Sequence, residues 1–146
     1  MIATLAPQDQ PSTVPMRQPT PIAVLQAWHA AALRGLRPVN DGTPRGGWYK
    51  RRFVRGGVFV PARIWMVQDI CSDTGELLSD EFMRCEVNGR CADPEDAWTW
   101  ICANPITEQE FRYLVARIDH AVLHEPNAPF AAPARPFDLN RSPILF

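Results

Sequence analysis

The distribution of proline decides where this chain can fold. Nine of its fifteen prolines lie in residues 1–19 and 126–146, and proline lacks a backbone N–H and is excluded from helix interiors. In the first segment Pro7, Pro11, Pro15 and Pro19 recur every four residues, a spacing that favours extended or polyproline structure. Residues 20–125 are left as one domain, long enough to bury a core. The expected architecture is α+β: an antiparallel sheet of two hairpins, an N-terminal helix, two C-terminal helices laid over one face of the sheet, and extended proline-rich tails at both ends.

Within that domain the run from Trp48 to Gln68, WYKRRFVRGGVFVPARIWMVQ, reads as a hairpin. Gly56 and Gly57 can take the positive φ angles of a two-residue turn, and β-branched or aromatic residues flank them. A turn centred on that pair sets Phe53 opposite Val60, Arg51 opposite Ala62 and Tyr49 opposite Ile64 on one mostly apolar face. The other face then carries Trp48 opposite Trp65, Lys50 opposite Arg63, Arg52 opposite Pro61 and Val54 opposite Phe59. Lys50 and Arg63 would repel one another across the strands, and a bound anion would relieve that. The indoles beside them supply faces on which bases can stack. Trp48, Lys50, Arg52, Arg63 and Trp65, with Arg45 and Arg51 nearby, are therefore the candidate residues for a phosphate-bearing ligand, foremost single-stranded nucleic acid.

Net charge is −1, so no global field draws the molecule to nucleic acid or an anionic membrane. The charges are unevenly spread. Six of the fifteen basic residues fall from Arg45 to Arg63, whereas from Asp69 to Glu110 there are eleven acids against only Arg84 and Arg90. Either the two segments neutralise each other within the fold, or the basic one meets an anionic partner. Fourteen of the fifteen cations are Arg, which suits planar phosphate and aromatic contacts better than Lys does.

Thr20-Pro21 reads as an N-cap followed by proline at the first helical position, opening a helix that Gly35 closes. Its expected buried stripe is Ile22, Leu25, Ala32, Leu33 and Leu36, with His29 packed inside it through a satisfied ring nitrogen. Asn88-Gly89 marks a second hairpin that pairs Val87 with Arg90 and places Cys85 and Cys91 on opposite faces. Asp93 and Pro94 open a short helix in which Trp98 and Trp100 cannot both face the core. Thr107 and Glu110 form a capping box, with Ile106 able to staple onto Phe111, ahead of a helix whose stripe is Phe111, Leu114, Val115, Ile118 and Val122. His120 and His124, four residues apart near its end, lack an identifiable third metal ligand.

The C-terminal segment differs from a solvating linker. Besides Pro126, Pro129, Pro133, Pro136 and Pro143 it carries Phe130, Phe137, Leu139, Ile144, Leu145 and Phe146, more large apolar residues than a linker needs. It reads as a docking arm, and Phe130, Phe137, Ile144, Leu145 and Phe146, together with Trp100, are the candidate protein-binding residues.

No enzyme constellation is visible: Ser12, Ser72, Ser79 and Ser142 sit in no nucleophile elbow, and there is no phosphate-binding glycine loop or dinucleotide fingerprint. Cys71, Cys85, Cys91 and Cys102 have no zinc-type spacing. The chain is expected to be non-enzymatic, with no cofactor or metal. It lacks an apolar window of about 18 residues and a readable secretion signal, so neither membrane insertion nor export is expected.

The blocks GGVFVPARIWMV, EVNG, DPEDAW and NPIT, across about residues 56–107, resemble small uncharacterised reading frames of tailed phages and prophages of proteobacteria. The resemblance implies no particular activity or ligand. It implies a setting, the host cytoplasm or a virion, in which proteins of this size bind nucleic acid, bind host or defence proteins, or form part of the particle. The expectations are thus a nucleic-acid binder, a virion structural or assembly subunit whose tails dock onto neighbouring copies, or an inhibitor of a host defence complex.

Overall fold

A computed structural model describes residues 17–135 of the chain. The elements are α1 (Ile22–Leu25), α2 (Ala27–Leu33), β1 (Gly47–Arg52), β2 (Phe59–Val67), β3 (Phe82–Val87), β4 (Arg90–Ala92), α3 (Pro94–Ile101) and α4 (Glu108–His124), followed by a single 3-10 turn at Pro129–Ala131. The strands form one antiparallel sheet in the order β1-β2-β3-β4. The fold is α+β, as the two hairpin signals and the helix caps require.

The first hairpin turns one residue earlier than the glycine pair implies. Gly57 N–H donates to Val54 O at 3.0 Å, and Gly56 takes φ +74°, so the turn is centred on Arg55-Gly56. Trp48 consequently faces Arg63, Lys50 faces Pro61 and Arg52 faces Phe59. Every partner moves by two positions and every side chain keeps its face. The expected opposition of Lys50 and Arg63 does not occur. The second hairpin follows expectation: Asn88 and Gly89 both take positive φ, Val87 pairs with Arg90 and Glu86 with Cys91. Cys85 is buried and Cys91 exposed, and all four cysteines are free.

The two C-terminal helices lie on opposite faces of the sheet, not on one. After α3 the chain runs along the outer edge of β1, where Lys50 N–H donates to Asn104 O and Ile106 N–H to Trp48 O at 3.1 and 2.9 Å, and Tyr49 bridges Pro105. This pairing covers an edge that would otherwise be open, and it carries the chain from one face to the other. On the first face Trp98 of α3 meets Tyr49 edge-on at 5.4 Å, above Val60, Ala62, Ile64, Cys85 and Val87, all buried. On the second face Phe111 of α4 lies 4.7 Å from Trp48; Leu114, Ile118 and Ala121 supply the buried stripe, while Val115 and Val122 stay exposed. Val115 and Val122 fall one position beyond the stripe that the strand surface covers, which is where the sequence pattern overreaches.

At the N-terminus the expected single helix is broken at Gln26 into two short ones. Thr20 does not cap it. Its hydroxyl donates to Glu81 Oε1 at 2.8 Å and its N–H to Glu81 Oε2 at 3.0 Å, so Pro21 occupies the cap position. Gln68 ties Thr20 O and Glu81 together, Leu77 N–H donates to Arg17 O, and Arg17 pairs with Asp80. Residues 17–20 are thus strapped to the loop after β2, and of the expected stripe Ile22 and Leu36 are mostly in water and Leu33 is partly so. The helix closes as expected at Gly35 (φ +75°), with Leu36 N–H returning to Ala31 O and Gly35 N–H to Ala32 O, the paired bonds of a Schellman motif.

His29 is the one buried polar residue among those described. Its Nε2 donates to Trp48 O at 2.8 Å and to Ile106 O at 2.9 Å, joining α2, β1 and the crossing segment. The ring lies directly on Gly47, where an added Cβ would stand 2.4 Å from His29 Cγ. Gly47 also holds φ +152°, which side-chain-bearing residues avoid. Gly47→Ala is accordingly expected to cost on the order of 3 kcal/mol, read as a lowered urea midpoint; a midpoint equal to wild type contradicts this packing.

The strap at residues 17–20 is expected to depend on acid. Hydrogen bonds from Gln68 and then Thr20 hold the Glu81 carboxyl below its ordinary value of 4.5. The contribution is therefore complete above 4.5 and is lost as pH falls through the lowered folded value. The Thr20 amide proton resonance should titrate with a midpoint below 4.5, and the titration should vanish in Glu81→Gln. A Thr20 midpoint at or above the ordinary value would show that the strap does not form.

Candidate nucleic-acid interface

Alternation along β1 and β2 places Trp48, Lys50, Arg52, Phe59, Arg63 and Trp65 on the sheet face that α4 partly covers. Arg63 is the centre of this group. Its guanidinium carbon lies 4.0 Å from the Trp65 ring centre and 5.8 Å from that of Trp48. A hollow of about 170 Å³ opens there, lined by Trp48, Arg63 and Trp65 with Gln26, Gly47 and Ile64. Arg63 makes no ion pair among the described residues, and its Nε is buried with no hydrogen-bond partner. A desolvated donor without an acceptor is costly, and a planar guanidinium fixed on an indole gives up little freedom when an oxyanion docks.

Toward the hairpin tip, Arg52 lies 4.0 Å over Phe59 and donates from Nε to Gly57 O at 2.8 Å. It too lacks an acidic partner among the described residues. Lys50 differs: its Nζ meets Glu110 Oε2 at 2.8 Å and lies 4.5 Å from the Phe59 ring. Glu110 therefore supplies only half of the expected capping box. Thr107 Oγ1 accepts from Glu110 N–H at 3.0 Å, but the Glu110 carboxylate is occupied by Lys50. The acidic segment forms an ion pair with this one cation of the face; Glu86 stands opposite Arg63 in the β2–β3 ladder, yet neither Arg52 nor Arg63 makes an ion pair among the described residues.

The remaining predicted residues are not brought together with these. Arg45 pairs with Asp41 at 3.3 Å; hydrogen bonds from Thr43, with a smaller share from Arg45, hold Asp41 below the usual carboxylate value. Arg51 points to the opposite sheet face. There it lies 5.0 Å from Phe53 and 5.1 Å from Trp100, and burial lowers its pKa. Trp98 is buried, and Trp100, two residues on, is 61% exposed, as helical geometry demands of that spacing. Phe59 is a member of the face that side-chain chemistry alone does not single out, although its register position, on the same side as Arg63, marks it.

Phe130, expected from the sequence to reach a protein partner, docks on its own domain, packed against the core. Arg117 holds it at 4.7 Å while pairing with Glu125 at 3.2 Å. Its partner is near in sequence because the tail folds back immediately after α4. Phe137, Ile144, Leu145 and Phe146 lie outside the described residues.

Burial pushes the Cys85 thiol up to about 11, away from nucleophilic use. Among the described residues no three His, Cys, Asp or Glu side chains cluster to hold a metal, and no helix is long and apolar enough to cross a membrane. No family model, no curated protein and no solved structure matches this chain.

Proposed function

We propose that this chain is a non-enzymatic, phage-type accessory protein that binds a phosphate-bearing ligand, single-stranded nucleic acid, through the β1–β2 face. The observation that carries the reading is Arg63: a guanidinium with a buried, unpartnered Nε, 4.0 Å from Trp65 and bordering an open hollow. Phosphate oxygens would accept from Arg63 and Arg52, and bases would stack on the outer indole surfaces, the combination by which single strands are held without sequence readout. Lys50 contributes less, because Glu110 already occupies it. With a net charge of −1, attraction would be local to this face, and binding would weaken with salt. Such a protein works in the host cytoplasm or in the particle.

A second reading, an assembly subunit, rests on the apolar side chains left in water beside the first helices: Ile22, Val24, Leu36 and Val39 are 61–82% exposed.

Arg52→Ala with Arg63→Ala should leave the fold intact and lower the magnitude of the slope of log affinity against log salt by about 0.7 for each phosphate that the variant no longer neutralises. Wild-type protein that shows no oligonucleotide binding at low salt would contradict the reading, and a particle mass that grows with protein concentration would favour the assembly subunit.

A further inference from the structure

The sheet's other face repeats the same device. Arg51, one strand position from Arg52, is set between the Phe53 and Trp100 rings, 5.0 and 5.1 Å from their centres. Its Nε reaches only the Arg52 carbonyl, at 3.3 Å, and it has no acidic partner in any ion pair among the described residues. Beside it opens a cleft of about 310 Å³. Arg51 and Arg90 supply its cations, Asp96 its one acid, Phe53 and Trp100 its aromatic walls, and Val87 with two alanines its floor. Trp100 is 61% exposed, so an indole surface faces water at the rim.

We propose that this cleft is a second nucleotide-binding site, in which a phosphate bridges Arg51 and Arg90, a base stacks on Trp100, and Asp96 accepts from the base's exocyclic amino group. Each part of the cleft matches one part of a nucleotide. A guanidinium held by two rings keeps its outward N–H edge for an oxyanion. A single exposed indole offers a stacking surface to any base. A carboxylate accepts only from donors, which adenine, cytosine and guanine present and thymine lacks as an amino group. An acid in the cleft also argues against a plain anion site, because it would repel a ligand with no donor edge.

The identity of the ligand as a single strand rests on the reading of the Trp48 face; the geometry of the cleft does not. Arg52, over Phe59, and the exposed Arg55 lie at the hairpin tip, so cations continue from one face to the other along the route a bound strand would take. The protein would then hold its strand as a clip around the end of the hairpin.

The test measures affinities for adenine and thymine oligonucleotides of about 12 units at low salt. It compares wild type with Trp100→Ala, Trp100→Phe, Arg90→Gln, Asp96→Ala and Trp65→Ala, each checked by its melting curve. Trp100 and Arg90 are exposed, so their substitution should not disturb the fold. Trp100→Ala should weaken the adenine strand about tenfold, Trp100→Phe should retain most of the affinity, and Asp96→Ala, which removes the acceptor that an amide would keep, should erase a preference for adenine over thymine. If Trp100→Ala and Arg90→Gln bind like wild type while Trp65→Ala is weakened, the cleft is not a site and the Trp48 face stands. If the cleft variants weaken binding and Trp65→Ala does not, the cleft stands and the reading of the other face falls. Wild-type protein that binds neither strand overturns both.

Discussion

One imidazole sets the geometry on which the candidate sites depend. His29 Nε2 reaches two carbonyls from different parts of the chain, Trp48 O at 2.8 Å and Ile106 O at 2.9 Å, and its ring occupies the space that any side chain at Gly47 would need. A buried ring in a protein interior keeps its hydrogen bonds because leaving them unmade is costly. Through this contact α2, the start of β1 and the segment crossing from α3 to α4 are held in one arrangement. Tyr49, fully buried, fits edge-on against His29 at 5.3 Å and Trp98 at 5.4 Å, and Trp28 extends the row to Trp98 at 5.1 Å. The crossing is what separates the helices: α3 keeps the Tyr49 face, and α4 takes the Trp48 face.

That separation determines what the basic hairpin can offer. With neighbouring residues of β1 pointing to opposite faces, Arg51 and Arg52 cannot share a site, and each finds an aromatic partner on its own side. Glu110 arrives at Lys50 only because α4 begins just after the crossing strand. Among the described residues the acidic segment makes one ion pair with the basic one, at Lys50, and Arg51, Arg52 and Arg63, whose charge is delocalised over a flat group, lie on rings.

Much of this is legible in the residues, and the exceptions have physical causes. Caps are local, so Asp93, Pro94 and Thr107 mark their helices correctly: Asp93 and Thr107 accept from Glu95 N–H and Glu110 N–H at 2.9 and 3.0 Å. Asn88-Gly89 marks its turn because both residues tolerate positive φ. Membership of the Trp48 face survives a misplaced turn, since moving the turn by one residue moves each partner by two. The cross-strand partners themselves do not survive, which is why a clash between Lys50 and Arg63 is expected and absent. Thr20 shows the limit of local rules. Its hydroxyl suits a cap, but Glu81, sixty-one positions away, offers a charged acceptor for both its N–H and its hydroxyl, and charge-assisted bonds are the stronger. Arg90 and the pairing of Arg51 with Trp100 depend on tertiary placement that spacing does not encode.

In the proposed function, Trp48 and Trp65 flank an arginine that receives the backbone of a single strand. This role is tested most directly by following the indole N–H resonances of the five tryptophans as a thymine oligonucleotide of about 12 units is added at low salt. Trp28 and Trp98 serve as internal references, because their indole N–H groups already donate within the chain, to Val39 O and Asn40 Oδ1, away from the Trp48 face. The Trp48 and Trp65 signals are expected to move together and saturate while those of Trp28 and Trp98 hold still. Trp48 and Trp65 signals that stay in place throughout the titration would contradict the proposal.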